Sequence, residues 1–413
     1  MMRILAFFGA ICLQFICTAQ PCHTIAAGDL LDPANWSCDC NVSICDTLLI
    51  HHALTLDGTL NLPSARYTEI TEGGSLTGSG SLRLAGSLVN RGTLALYRLA
   101  TDVDPFPEFD TYFLNVGNIE NNILLLLSDS TSNQGTISCD DSLIVGFQRK
   151  LRNDSDIFTN ILFQFGDLYN YENLISDSLL SFRSTVNHGT ILCINKLEIY
   201  SRLFNFGDIN THQFEVISAG VDNYGTINVN SSSTLGTMGG IQFEQSTTGR
   251  LNTRNLYVLE DTDVRGQGSI CILEHAENHG NIIGSMQLCD LTPTLTVPPF
   301  WDVHTGTIVL TPTYCGPIAC ATVQVDEMTG EEGARIQPNP TVGPIRITHS
   351  DALRPVHGWM VMDGHGRLVQ RSAQAPDNTL ELDLSAYRSG TYWVLLMDQA
   401  GAVMERLPVV VEK

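Results

Sequence analysis

Lysine is nearly absent. Only Lys150, Lys196 and Lys413 occur among 413 residues, against 44 acidic side chains, and the formal net charge is −22. A polyanion would meet repulsion rather than counterion release, so nucleic acid is excluded as a partner. Past the N-terminus no apolar stretch approaches the about 20 residues that cross a bilayer as a helix, and no transmembrane segment is expected in the mature chain. Signatures of chemistry are missing as well: there is no Gly-x-Ser-x-Gly elbow, no phosphate loop and no His-Glu-x-x-His. No catalytic residue and no cofactor is therefore assigned, and a non-enzymatic role is expected. The charge that exists is unevenly spread. Residues 334–413 hold 8 basic and 8 acidic side chains, whereas residues 1–333 hold 14 and 36, which marks a boundary near residue 333.

What the chain has begins with an address. MMRILAFFGAICLQFICTAQ joins one Arg, an apolar run from Ile4 to Cys17 and a small-residue end, the layout of a cleaved signal peptide over residues 1–19. A lipid anchor at Cys17 is disfavoured by the bulky Phe15 and Ile16. Losing Cys12 and Cys17 leaves ten of the twelve cysteines, and an exported chain with an even number invites disulfides. Cys22, Cys38, Cys40 and Cys45 crowd a cap and first coil over residues 20–57. Cys271 and Cys289 stand eighteen apart, and Cys315 and Cys320 bracket a Gly-Pro turn. The first four contain no Cys-x-x-Cys pair, so bridges are preferred there to zinc.

A phrase recurs over residues 58–325: VNRGTL, LNVGNI, SNQGTI, VNHGTI, FNFGDI, DNYGTI, ENHGNI. Its glycines are Gly92, Gly117, Gly135, Gly189, Gly207, Gly225 and Gly280, with weaker copies at Gly166 and Gly249, and several intervals are eighteen residues. A constant phrase with variable insertions marks a solenoid. The second and fourth residues after glycine are apolar, as in Ile137 and Cys139, Ile191 and Cys193, or Ile227 and Val229, which reads as a half-buried strand. Asn-x-Gly is expected to be a tight bend, with Asn and Gly chosen for left-handed backbone. Stacked rungs then make a parallel β-helix. Upstream, Gly74, Gly80, Gly86 and Gly92 repeat at six residues, consistent with three faces per coil. The irregular coils downstream favour the right-handed form. Cys139 and Cys193 are expected two rungs apart, about 9.6 Å, too far to bridge, and hence to be buried thiols. Cys271 and Cys289 could bridge adjacent rungs.

From Arg335 the texture changes to short β-runs between turns, an all-β sandwich of immunoglobulin-like type. Five elements stand in order: Pro338-Asn339-Pro340 with Gly343, the turn from Asp363 through Gly366 to Arg367, Leu382-Asp383-Leu384-Ser385, Ser389-Gly390-Thr391-Tyr392, and the basic end at Lys413. This segment resembles the type A C-terminal sorting domain of the type IX secretion system of Bacteroidota. The resemblance implies export through the type IX translocon to the cell surface or medium. It also implies removal of the tail by the system's sortase, with release or attachment to anionic lipopolysaccharide. Residues 326–334 are the acidic linker of such an arrangement. The stretch from Ala27 to Cys40 resembles the opening coil of secreted solenoids of the same bacteria, which makes Trp36 a packing residue of the cap.

One acidic cluster is a weak calcium or carbohydrate candidate: Asp102, Asp104, Glu108 and Asp110, in a loop with Phe106, Phe109 and Tyr112. His188 and His279 occupy the middle of Asn-x-Gly, where Arg, Val, Gln, Phe and Tyr also occur, so that position is not catalytic. The expectation is a surface-displayed, adhesin-like or structural solenoid that meets carbohydrate or a host or matrix surface. The alternative is a polysaccharide lyase or hydrolase with its site in the loop inserts.

Overall fold

A computed structural model describes residues 21–38, 42, 45–63, 65–101, 110–238, 240–290, 300–310, 312–315, 334–348, 356–363, 368–372, 379–397 and 403–412. The expected signal peptide, Cys40, Cys320 and most of the expected acidic linker lie outside these residues.

Where the six-residue repeat is regular, each Gly-Ser/Thr-Leu unit is one short strand, and three strands make a coil. Ser75–Thr77, Ser81–Leu84 and Ser87–Asn90 are followed by Thr93–Ala95, which pairs in parallel with the first of them, Thr93 opposite Ser75. The strand ending in Asn90 lies on what is termed here the first face. The strand after the glycine begins the second face, and the next strand forms the third. Further along, second and third faces fuse into one bent strand such as Asn118–Leu126, whose register shifts at the corner between Asn121 and Ile123. First-face strands build a fifteen-stranded sheet and the other two faces a nineteen-stranded one, with parallel pairing throughout the solenoid. The core is a column of stacked side chains: Leu76, Leu94, Ile119, Ile137, Ile191 and Ile227 are fully buried, each covering the same position of the coil before. Each such burial contributes about 1.5–3 kcal/mol, but a single coil has no second layer, so stability comes from the stack.

The recurrent asparagine proves to be part of that core. Asn90, Asn115, Asn133, Asn153, Asn170, Asn187, Asn205 and Asn223 are all fully buried. Each donates its side-chain amide to the side-chain oxygen of the next, at 2.8–2.9 Å, and Asn223 donates to Gln245 at 2.7 Å. The second amide hydrogen goes to a backbone carbonyl of the neighbouring coil, as from Asn205 to Thr226 O at 3.2 Å. Asn90 Oδ1, at the start of the ladder, has no donor, as expected where the preceding coil carries Ile70 in register. The expectation of left-handed backbone is therefore wrong on both counts. These asparagines belong to strands, and Gly92, Gly117, Gly135, Gly189, Gly207 and Gly225 do not take positive φ. Glycine is needed for room: a Cβ on Gly207 would sit 2.1 Å from Gly189 O, and one on Gly225 2.0 Å from Gly207 O.

Two phase assignments change with this. Gly166 lies between Ile157–Gln164 and Asp167–Asn170, at the corner from third to first face, and Gly280 lies at the same corner after Ser269–Asn278. Two further coils carry the asparagine without the glycine, in Asn153-Asp154-Ser155 and Asn170-Tyr171-Glu172. Cys139 and Cys193 are consequently three coils apart, through Thr159 and Ser176, rather than two. Both are buried. Burial pushes the Cys139 thiol up, reinforced by the Asp140 charge, and since the thiolate is the reactive form, Cys139 should escape alkylation in the folded chain. Iodoacetamide labelling with peptide mapping checks this, and modification at the rate seen in urea would contradict it.

The cap is closed by Trp36, 4% exposed, whose Nε1 donates to Leu30 O at 2.9 Å. Cys22 and Cys38 form a disulfide, and Cys45 Sγ lies 2.8 Å from Cys22 Sγ. His51 and His52 fall between Thr47–Ile50 and Ala53–Thr55, at a corner rather than inside a strand, and Thr24 Oγ1 accepts from both their backbone N–H groups. At the other end Cys271, Cys289 and Cys315 share one register position on successive coils, and Cys289 is bonded to Cys315. The expected Cys271–Cys289 bridge is therefore not formed, although the two stand in register, because Cys289 pairs with the following coil.

The C-terminal unit is a sandwich of two antiparallel sheets. Arg335–Gln337, Pro344–Thr348 and Thr379–Asp383 make one; Leu368–Ser372, Gly358–Asp363, Gly390–Met397 and Val403–Val411 make the other, in that order. Its core holds Ile345, Ile347, Trp359, Val361, Leu382, Val394 and Val409.

Candidate contact surface

In a strand that turns its asparagine inward, the next residue points out. The middle residue of Asn-x-Gly therefore decorates the corner between first and second faces, repeating at the coil spacing of about 4.8 Å. Over four consecutive coils it is aromatic: Tyr171, His188, Phe206 and Tyr224. Their rings stack at centroid distances of 5.1, 4.8 and 4.8 Å with interplanar angles of 2°, 7° and 11°. The Arg152 guanidinium closes the lower end, 4.8 Å over the Tyr171 ring. All four rings are exposed at their edges.

A second column stands at the corner after the third face. Phe165, Phe182 and Tyr200 stack at 4.9 and 4.4 Å, and Arg183 lies 5.0 Å over Phe147, which belongs to the coil before Phe165. The Tyr200 hydroxyl donates to Glu198 at 2.8 Å, and that bond with burial pushes the phenol up. Lys196 bridges Glu198 and Glu215 at 2.5 and 2.6 Å. Next to this column the outward row of the third face is apolar for four coils: Leu125, Ile144, Phe163 and Leu180 stand in register and are half-buried. A run of half-buried apolar side chains, flanked by rings and ending in an acidic cluster, is a candidate contact surface, since contiguous apolar surface rather than scattered single residues marks such sites. Because the rings face one another, they offer edges in a line rather than open platforms. Such a line suits an extended surface better than a single sugar ring.

Most of the residues singled out from the sequence lie elsewhere. Of the calcium candidate, Asp110 is exposed, and Asp102, Asp104 and Glu108 lie outside the described residues. In the tail, Asn339 Oδ1, between Pro338 and Pro340, accepts from Val410 N at 2.9 Å, and Thr341 N donates to Val410 O at 2.8 Å. The Pro-Asn-Pro element is thereby tied to the last strand. Gly343 N donates to Thr341 Oγ1, and Gly343 O accepts from Leu384 N. Tyr392 runs inward and its hydroxyl donates to Arg388 O at 2.9 Å, closing the turn that leads to Gly390. Asp363 pairs with Tyr392 through the backbone. Asp383 is held below the usual carboxylate range by the backbone N–H and hydroxyl of Ser385. Gly366, Arg367 and Lys413 lie outside the described residues.

Residues 335–410 match the family model described as secretion system C-terminal sorting domain. The tail is a type IX sorting domain, and it directs the chain to the cell surface or extracellular space through the type IX machinery. No curated protein matches the chain, and no solved structure does. No helix among the described residues is long and apolar enough to cross a membrane.

The sorting domain sits against the solenoid's second face. Between them opens a cleft of about 790 Å³ whose lining includes Tyr97, Glu120, Asp140, Arg371 and Tyr387. Arg371 pairs across the junction with Asp156 at 2.6 Å. Neither this cleft nor the ring columns figured among the sequence candidates, although the columns have a signal: aromatic residues at the same phase of consecutive coils.

Proposed function

We propose that the exported chain is a non-enzymatic, adhesin-like surface solenoid that meets carbohydrate or a host or matrix surface along its third face. The observation that carries this reading is the in-register row Leu125, Ile144, Phe163 and Leu180 beside the stacked Phe165, Phe182 and Tyr200. A solenoid repeats one contact every about 4.8 Å, so many weak contacts add over an extended partner. On this reading the solenoid is the cargo, and the sorting domain engages the translocon and its sortase, with anionic lipopolysaccharide as the anchor where the protein stays attached.

The cleft that holds Glu120 and Asp140 supports a second reading, a carbohydrate-active enzyme working with two carboxylates. One assay separates the two. The full chain, Phe165→Ser/Phe182→Ser and Glu120→Gln/Asp140→Asn are compared for adsorption to insoluble polysaccharides and matrix-coated surfaces, and for product release from acidic polysaccharides. The ring variant should lose at least about tenfold in adsorption, as loss of a central aromatic anchor does, and the carboxylate variant should adsorb normally. Product release that disappears with Glu120→Gln/Asp140→Asn would establish the enzyme instead.

A further inference from the structure

The outward row of the second face changes character along the solenoid. In register it runs Glu120, Ser138, Phe158, Ile175, Leu192, Asn210, Asn228, Asn252. The three asparagines bond to one another at 3.0 and 2.7 Å, a polar ladder suited to water. Phe158, Ile175 and Leu192 are of the opposite kind, and although they point out of the solenoid they are only 2%, 6% and 2% exposed.

Their cover is the sorting domain. Met360, Met362 and Leu395 pack on them as a cluster of their own, with Ile194 and Met397 at its margin, and the Arg371–Asp156 ion pair stands beside it. The covering sheet is apolar on both sides. Along Gly358–Asp363, Trp359 and Val361 enter the domain's own core while Met360 and Met362 face the solenoid; along Gly390–Met397, Val394 and Leu396 turn inward and Leu395 outward. A strand that is apolar at every position is one buried on both faces.

We propose that the sorting domain docks in cis on its own solenoid and is a removable cover for the apolar patch made by Phe158, Ile175 and Leu192. The patch lies on the same coils as both ring columns, four residues past Tyr171 and His188 in the case of Ile175 and Leu192. When the tail is away, a bare strip three coils long opens between the columns. The occupant that fits is the one seated there: three steps of apolar side chains meet methionines, whose unbranched thioethers adapt to an irregular surface.

The test uses the full chain with a site-specific protease site placed within residues 321–333. After cutting, the wild-type tail should co-elute with the solenoid on gel filtration, and Met360→Glu/Met362→Glu should make it elute separately. In the uncut chain the same pair should raise the fluorescence of a hydrophobic-surface dye severalfold by lifting the cover. Adding Ile175→Asn/Leu192→Asn should return that signal to the wild-type value. Those two substitutions are compatible with the coil, because the next three coils carry asparagine at that position. A wild-type tail that separates on cutting as readily as the glutamate variant would overturn the proposal. So would dye fluorescence unchanged by Met360→Glu/Met362→Glu, or raised equally with and without Ile175→Asn/Leu192→Asn.

Discussion

Asn187→Asp should lower the stability of the folded chain by about 3–5 kcal/mol at pH 7, the range for stranding an uncompensated charge in a protein interior. The substitution is nearly isosteric, so packing is not what it tests. Asn187 is fully buried, receives the Asn170 amide on its Oδ1, and donates through Nδ2 to Asn205 Oδ1 at 2.9 Å and to the carbonyls of Gly189 and Asp208. A carboxylate keeps the first bond and loses all three donations. It also puts an oxygen, in the place of Nδ2, against three acceptors. Desolvation and those acceptors raise its pKa in the folded state. A raised pKa means the folded form binds the proton more tightly, so the penalty is complete above the folded pKa and fades as pH falls toward the unfolded value, about 3.9. Urea unfolding of the two proteins at pH 7 and pH 4 reads this directly: the gap between midpoints should be wide at pH 7 and narrow at pH 4. A gap that is small at both would mean that the ladder contributes little.

The ladder also shows what the sequence discloses and what it hides. The rung is legible, because an apolar side chain two residues after each bend, as at Ile137, Ile191 and Ile227, has one interpretation at a strand's period of two. Three faces per coil are legible wherever the spacing is six. The reason for asparagine is harder to see, since the same residue favours left-handed turns and amide ladders. The distinguishing sign is present: Asn153 and Asn170 persist where Ser155 and Glu172 replace the glycine. A residue kept when its turn partner is lost is there for its side chain. Tyr171 hides for the same reason, as its coil lacks the glycine that would align it with His188, Phe206 and Tyr224. The apolar run WMVM, at Trp359–Met362, is legible as a strand, but the number of faces it buries depends on a partner two hundred residues away.

Gly207→Ala carries the second large effect, and it concerns room rather than backbone freedom. Gly207 does not take positive φ, so alanine is conformationally permitted there. Its Cβ, however, would stand 2.1 Å from Gly189 O and 2.7 Å from His188 O, and both are backbone atoms of the coil before. A flexible side chain could swing away; a carbonyl that accepts the Asp208 N–H at 3.0 Å cannot move without opening the ladder. Overpacking of this kind costs about 3 kcal/mol, the upper part of its usual range, because neighbouring coils on both sides must shift together. Gly58→Ala is the matched control, with nothing within 4 Å of the added atom, and should stay within about 0.5 kcal/mol of wild type. The comparison is made by thermal or urea unfolding of the full chain. Equal midpoints for the two alanine variants would show that adjacent coils can part at the bend. The tolerance of Ser155 and Glu172 at the equivalent position would then be the rule along the solenoid, and the glycine column of Gly92, Gly117 and Gly135 a preference. A large loss at Gly207 with none at Gly58 would instead show that, on the coils that carry glycine, the missing Cβ is what lets the two backbones approach, while the asparagine bonds form with or without it, as at Asn153 and Asn170 beside Ser155 and Glu172.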